Sequence, residues 1–204
     1  MAEIKADWQW LAPDAAPLTL FEDWFRAAEA AEPNDPNAMA LATVGADGMP
    51  SVRIVLLKAY DAEGFTFFTN YNSRKADELA EHKLAALCLH WKSLLRQIRI
   101  EGVVETVPPA VSDAYFAQRP RQSQLGAWAS LQSRPLPDRS QFTSRLAEYE
   151  AKFPDAVPRP PHWGGYRLRP AHIEFWQQYD YRLHDRVVFS RQTDGSWTGQ
   201  RLFP

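Results

Sequence analysis

Hydrophobic residues recur at two different periods along the chain, and the change of period divides it into elements. Phe21, Trp24, Phe25 and Ala28 follow the three-to-four spacing of a helix with one apolar face, opened by a Thr19/Glu22 capping box and closed at Glu32-Pro33. From Ala38 the period falls to two. Met39 to Val44, Ser51 to Tyr60 and Phe65 to Asn70 read as an antiparallel meander, with Gly45-Ala46-Asp47-Gly48 and Asp61-Ala62-Glu63-Gly64 as its turns. Ser73 is placed to cap a short helix from Arg74 to about His82, after which Leu84 to Trp91 and Arg96 to Val107 return to strand. On the last strand Gln97, Arg99 and Glu101 share one face, and Ile98 and Ile100 take the other.

The middle of the chain is polar. Helices are predicted from Pro109 through Tyr115 and from about Asp138 to Lys152, with an Arg-, Gln- and Ser-rich connection, Arg119 to Leu136, between them. A stiff Pro154 to Pro161 stretch leads to closing strands at Trp163 to Gln177, Tyr181 to Arg191 and Trp197 to Phe203, with a Thr193-Asp194-Gly195-Ser196 turn. The pattern predicts an α+β, mainly β fold: a closed β-barrel with helical additions.

Composition narrows the function classes. Eight Trp and eleven Phe supply large burial areas and argue against disorder. A net charge of −2 argues against general nucleic-acid binding, so any anion site is local. The mean hydropathy of −0.44 and the lack of an apolar run near the roughly 20 residues of a membrane span argue against a membrane protein. Met1 to Trp10 carries Glu3, Lys5 and Asp7 in place of a signal-peptide core, and the single Cys88 rules out an intrachain disulfide; a cytoplasmic protein with a structural, buried thiol is expected.

Several cationic constellations remain. Within a strand, Arg182, His184 and Arg186 would share a face and could bind a phosphate beside a titratable group; an exposed edge with Arg182 paired to Asp180 or Asp185 fits equally. Arg53 and Lys58 bracket the apolar run Ile54, Val55, Leu56 and Leu57 on opposite strand faces, so one site uses both only through a bulge, a strand end or an oligomer interface. Ser73, Arg74 and Lys75 meet at a helix start, which suits phosphate. Tyr115, Arg119 and Ser123, with Arg121 nearby, would hold a second phosphate or salt-bridge a loop, and Gln132 and Ser133 would add a polar rim. Gln97 suits a heterocycle's edge, and Trp176 a flat ring. Metal-ligand spacing, P-loop, G-x-S-x-G and G-x-G-x-x-G motifs are all absent from the sequence.

Arg53 through Lys58, Phe68-Thr69-Asn70 with Ser73-Arg74-Lys75, Arg119 through Trp128, Gln132-Ser133, Phe175-Trp176-Gln177 and Arg182 through Arg186, in that order, resemble the pyridoxamine 5′-phosphate oxidases. The resemblance runs from about Pro17 to the C-terminus, so one domain over residues 17–204 is expected behind a variable or flexible segment 1–16. It implies a homodimeric split β-barrel binding FMN at the subunit interface and oxidising pyridoxine or pyridoxamine 5′-phosphate to pyridoxal 5′-phosphate, with O2 as acceptor and hydrogen peroxide released. It assigns Arg53, Ile54, Val55, Leu56, Leu57, Lys58, Phe68, Thr69, Arg74, Lys75, Gln97, Gln132, Ser133, Trp176 and Arg186 to FMN. Lys58, Tyr115, Arg119 and Ser123 would hold the substrate phosphate, and Arg182 and His184 would be catalytic at the pyridine ring. Phe68 stands where many members have Tyr, Gln178 replaces a common Gly, Tyr179 and Tyr181 add bulk before Arg182, and residues 1–16 lack an Arg- and Tyr-bearing segment found in some members. Asp35 stays outside the catalytic set. The alternatives are a related flavin oxidase of a secondary pathway, of the phenazine type, and a non-catalytic FMN- or pyridoxal-phosphate-binding module.

Overall fold

The computed structural model describes residues 11–204; the expectations for Met1 to Trp10 lie outside the described residues. Helix α1 (Pro17–Ala31) starts before Thr19, so the capping box does not form: Pro17 has no N–H to satisfy and opens the helix, with no side-chain cap at Ala16. Its apolar stripe is the expected one, and Phe21, fully buried, sits edge-on to Tyr60 and Phe65 with ring centroids 4.9 Å away in each case.

The strands are β1 (Ala38–Val44), β2 (Pro50–Leu56), β3 (Ala59–Asp61), β4 (Gly64–Asn70), β5 (Leu84–Trp91), β6 (Arg96–Thr106), β7 (Trp163–Gln177), β8 (Asp185–Arg191) and β9 (Trp197–Leu202). They form one antiparallel sheet ordered β2-β1-β5-β6-β7-β4-β3, with β8 pairing β7 and β9 extending from β8. The closed barrel becomes a curled, split one, because β2 and β3 end the ladder without pairing to each other. The single strand expected from Ser51 to Tyr60 breaks at Leu57 and Lys58, where Leu57 N–H turns to Asn37 and Lys58 N–H to Thr66.

β7 organises the sheet. It pairs β6 along its length, β4 through Trp163 to Leu168 and β8 through His172 to Gln177. The exchange of partners coincides with a bulge opposite Glu101 and Gly102. Pro170, without a ladder donor, fits there, and a Cβ on Gly102 would lie 2.0 Å from the Arg169 carbonyl oxygen.

Helix α2 (Arg74–His82) lies between β4 and β5, and α3 (Pro109–Gln118), α4 (Arg121–Ala129) and α5 (Arg139–Lys152) lie between β6 and β7. Helix α4 occupies what reads in sequence as a polar connection; burying Leu125, Ala127 and Ala129 favours it despite the polar run Arg121 to Gln124. Ser73 does occupy the N-cap of α2, but its hydroxyl donates to the Asn70 carbonyl instead of capping. Truncating Phe21 to Ala should cost about 3–5 kcal/mol, read as a lower urea midpoint with an unchanged slope.

Candidate functional site

Residues from β2, β4, α2, α3 and the loop after α4 meet around a cavity of about 300 Å³ lined by Ile54, Val55, Leu56, Lys58, Phe68, Thr69, Lys75, Tyr115, Arg119, Gln132 and Trp163, among others. One wall is a stack of near-parallel rings, Phe68 lying 4.1 Å from Tyr115 and 5.5 Å from Trp163. Arg119 lies over Trp163 at 4.6 Å, and its buried Nη1 has no hydrogen-bond partner among the described residues. Burial lowers the Arg119 pKa, partly offset by Tyr115.

The cavity lining holds a second cation. Lys75 Nζ is buried and donates to Gln132 Oε1 at 2.8 Å, Ser73 Oγ at 3.1 Å and Thr69 Oγ1 at 3.2 Å, all neutral acceptors. Burial, then the charge of Arg53, lowers its pKa, and Glu78 pulls the other way. An anion in this cavity would meet a buried ammonium without a carboxylate on it and a guanidinium with a free donor.

Arg53 and Arg74 stand beside the cavity, oriented by Glu78. Glu78 is 6 % exposed and pairs with Arg53 at 3.0 Å and with Arg74, one helical turn earlier, at 2.8 Å. Burial would raise its pKa, but hydrogen bonds from Thr43, Ser51 and Arg74 and the charge of Arg53 outweigh it and hold the carboxyl at about 2. Arg53 and Lys58 do not share a regular strand as expected: β2 ends at Leu56, Arg53 points from it to Glu78, and Lys58, beyond the break, lines the cavity.

A second group forms at the far end of β7. Gln97, Trp176 and Arg186 are directly opposed across β6, β7 and β8 and therefore share a face. One step along, the buried Glu174 binds Arg186 Nε and Arg99 Nη2, both at 2.9 Å. Arg182 and His184 are not on a strand as expected: Asp180–Arg182 is a single 3₁₀ turn, and β8 begins only at Asp185. Tyr181 and Arg182 have φ of 57° and 62°, which breaks the two-residue alternation. His184 packs 4.6 Å from Trp176, and its Nδ1 accepts the Tyr179 N–H at 3.3 Å.

The predicted residues thus fall into two groups. Trp163, at the cavity, and Trp176 are thirteen residues apart on β7, roughly 40 Å along a strand that rises about 3.3 Å per residue. Ser123 is exposed on α4, and Ser133 lines a separate hollow with Arg134, Leu136 and Arg145, so neither is gathered at the cavity. Cys88 is half-buried, and burial raises its thiol pKa, as suits a structural thiol. Among the described residues no helix is long and apolar enough to cross a membrane.

Residues 25–153 match the family model described as pyridoxamine 5′-phosphate oxidase. The chain belongs to the pyridoxamine 5′-phosphate oxidase family. It is an oxidoreductase of that family, and residues 163–204 match the pyridoxine 5′-phosphate oxidase C-terminal dimerisation region, which supports a homodimer. It is 56 % identical over 193 residues to a pyridoxine/pyridoxamine 5′-phosphate oxidase of Novosphingobium aromaticivorans (94 % of this chain, 95 % of the relative). It is 57 % identical over 195 residues to one of Caulobacter vibrioides (95 % and 87 %). Among solved structures, PhzG from Burkholderia lata 383, in complex with tetrahydrophenazine-1-carboxylic acid, superposes with a TM-score of 0.88 at 35 % identity, over 94 % of each chain. A pyridoxamine 5′-phosphate oxidase-related, FMN-binding protein from Nostoc punctiforme shares the fold, with a TM-score of 0.76 at 17 % identity, over 93 % of this chain and 99 % of its own.

Within this family member, Glu78, Glu174 and Trp163 are contributors that the sequence reading missed. The Arg74 to Glu78 spacing of four was available as a clue; Glu174 and Trp163 depend on strand pairing. Glu78 titrates near 2 in the folded chain against an ordinary 4.5, so its contribution to stability is full above about pH 4.5 and is lost as pH falls toward 2. Denaturant melts from pH 6 to 2 should show that loss in the native chain and a shallower pH dependence in Glu78→Gln.

Proposed function

We propose that this protein is an FMN-dependent oxidase that converts pyridoxamine 5′-phosphate and pyridoxine 5′-phosphate to pyridoxal 5′-phosphate, as a cytoplasmic homodimer with FMN at each subunit interface. The observation that carries the reading is the pair of anion-ready cations at one cavity, the buried Lys75 held by neutral oxygens and Arg119 with its unpartnered Nη1. Cofactor and substrate each carry one phosphate. Arg53, Arg74 and Lys75 with Thr69 suit the phosphate of FMN, and Lys58, Tyr115 and Arg119 suit that of the substrate, with Ser123 within the first turn of α4. Bound FMN would supply a two-electron acceptor that O2 reoxidises with release of hydrogen peroxide, the amine substrate also taking up water and losing ammonia.

The remaining assigned residues, Gln97, Trp176, Arg186, Arg182 and His184, lie on the other half-site, too far along β7 to serve the same cavity. A two-fold dimer resolves this, because it brings the second half-site of one protomer to the first of its partner. The outer face of β2 supports such an interface: Val52 and Ile54 are 68 % and 66 % exposed, on an edge strand beside the cavity. In this arrangement His184 presents Nε2, and Arg182 its guanidinium, to the pyridine ring and its C4′ substituent, while Trp176 covers a ring face.

A phenazine-type oxidase is the second reading, favoured by the likeness to PhzG and the bulk of Tyr179 and Tyr181. The phosphate-directed cations and the higher identity to the pyridoxine/pyridoxamine 5′-phosphate oxidases favour the first. An aerobic assay of FMN-loaded protein on pyridoxine 5′-phosphate should yield pyridoxal 5′-phosphate and hydrogen peroxide together. His184→Ala and Arg182→Ala should each lower turnover by roughly 10²-fold, and unchanged turnover in both would overturn their assignment.

A further inference from the structure

Asp185 separates His184 from Arg186, yet its carboxylate is committed elsewhere. The side chain is fully buried; Oδ2 accepts the Leu11 N–H at 2.6 Å, and Oδ1 pairs with Arg201 Nη1. Arg201 Nη2 in turn donates to the Leu11 carbonyl at 2.6 Å, closing a ring of three residues from both ends of the chain. Two residues beyond Leu11 the chain lies so close to β9 that a Cβ on Gly199 would stand 1.9 Å from the Pro13 carbonyl oxygen. A buried carboxylate is costly unless bonded, and here both oxygens are.

The turn that ends at Asp185 holds two non-glycine residues, Tyr181 and Arg182, at positive φ, a strained conformation kept only where the surroundings impose it. Upstream, Gln178 N–H donates to the Leu95 carbonyl at 2.9 Å and the Gln177 amide to the Leu94 and Leu95 carbonyls at 3.2 Å. Downstream, Asp185 is held twice, by its ladder pairing to Gln177 and by its buried carboxylate.

We propose that Asp185 is a positioning residue: with Arg201 it clamps the Leu11 to Pro13 strap across β8 and β9, and the strap keeps the Tyr181 to His184 turn in the strained form that presents Arg182 and His184. The inference rests on the role given to those two residues above, so its test includes a readout independent of turnover. Hydrogen exchange on the FMN-loaded protein would follow the amides of Tyr181 to His184 in Asp185→Asn and in Gly199→Ala, the second of which displaces the strap without altering a charge. Exchange in this turn about tenfold faster in Gly199→Ala, with kcat/KM for pyridoxine 5′-phosphate falling about tenfold and flavin retained, is the expected result. Asp185→Asn should behave likewise if it folds. Unchanged exchange in a Gly199→Ala protein whose strap has become protease-sensitive would overturn the proposal, as would faster exchange with undiminished kcat/KM. If the native protein turned over no pyridoxine 5′-phosphate, the oxidase reading would fall and the exchange rates alone would decide whether the strap holds the turn.

Discussion

β7 is the constraint on which the rest of the structure depends. A fifteen-residue strand cannot fold back on itself, and this one carries Trp163 of the cavity at its first residue and Trp176 of the second group near its last. It can run that far only because it changes neighbours, from β4 to β8, at the Gly102–Pro170 bulge. The sheet therefore presents two groups at separated places on the chain: the first has cations and a ring stack, and the second has an imidazole, an indole, an amide and the Arg186 guanidinium.

Each group is built around a buried glutamate that fixes two arginines, Glu78 with Arg53 and Arg74, and Glu174 with Arg99 and Arg186. For Glu78 the hydrogen bonds and the Arg53 charge outweigh the desolvation of the carboxylate, so the ionised form stabilises the fold at neutral pH. The pairs also have a geometric effect. A guanidinium with one edge held by a carboxylate keeps its remaining donors aimed in one direction, which reduces the ordering cost when an anion binds. Lys75 and Arg119 differ: both line the cavity, and among the described residues neither is paired to a carboxylate.

The succession of elements along the chain and most boundaries were legible in the sequence because alternation and turn residues are local; the sheet order was not, and the expected meander fails at its third strand, since β4 pairs β3 and β7 instead of β2. Leu84–Trp91, Trp163–Gln177 and the Arg74–His82 helix appear as read. Helix α4 was hidden because its first turn is polar and its buried face has only Leu125, Ala127 and Ala129 to announce it. The turn at Arg182 was misread as strand because positive φ at Tyr181 and Arg182 leaves no trace in residue type; Gly or Asn would have given warning. Of the site, the cations were visible by type and by resemblance. The glutamates that orient them and the division between two groups were not, since both depend on pairings between residues up to about eighty positions apart, such as Gln97 with Trp176.

The central claim is that a working site takes one group from each protomer. Complementation tests it most directly: Arg119→Ala disables the first group and His184→Ala the second, and a purified, FMN-loaded mixed dimer of the two variants can be assayed for pyridoxal 5′-phosphate formation. With sites shared across a two-fold axis, one of the two sites in the mixed dimer is intact, so activity should return to about half that of the native dimer. Activity no higher than that of the two parent variants would mean that each protomer builds its site alone, and would contradict the account.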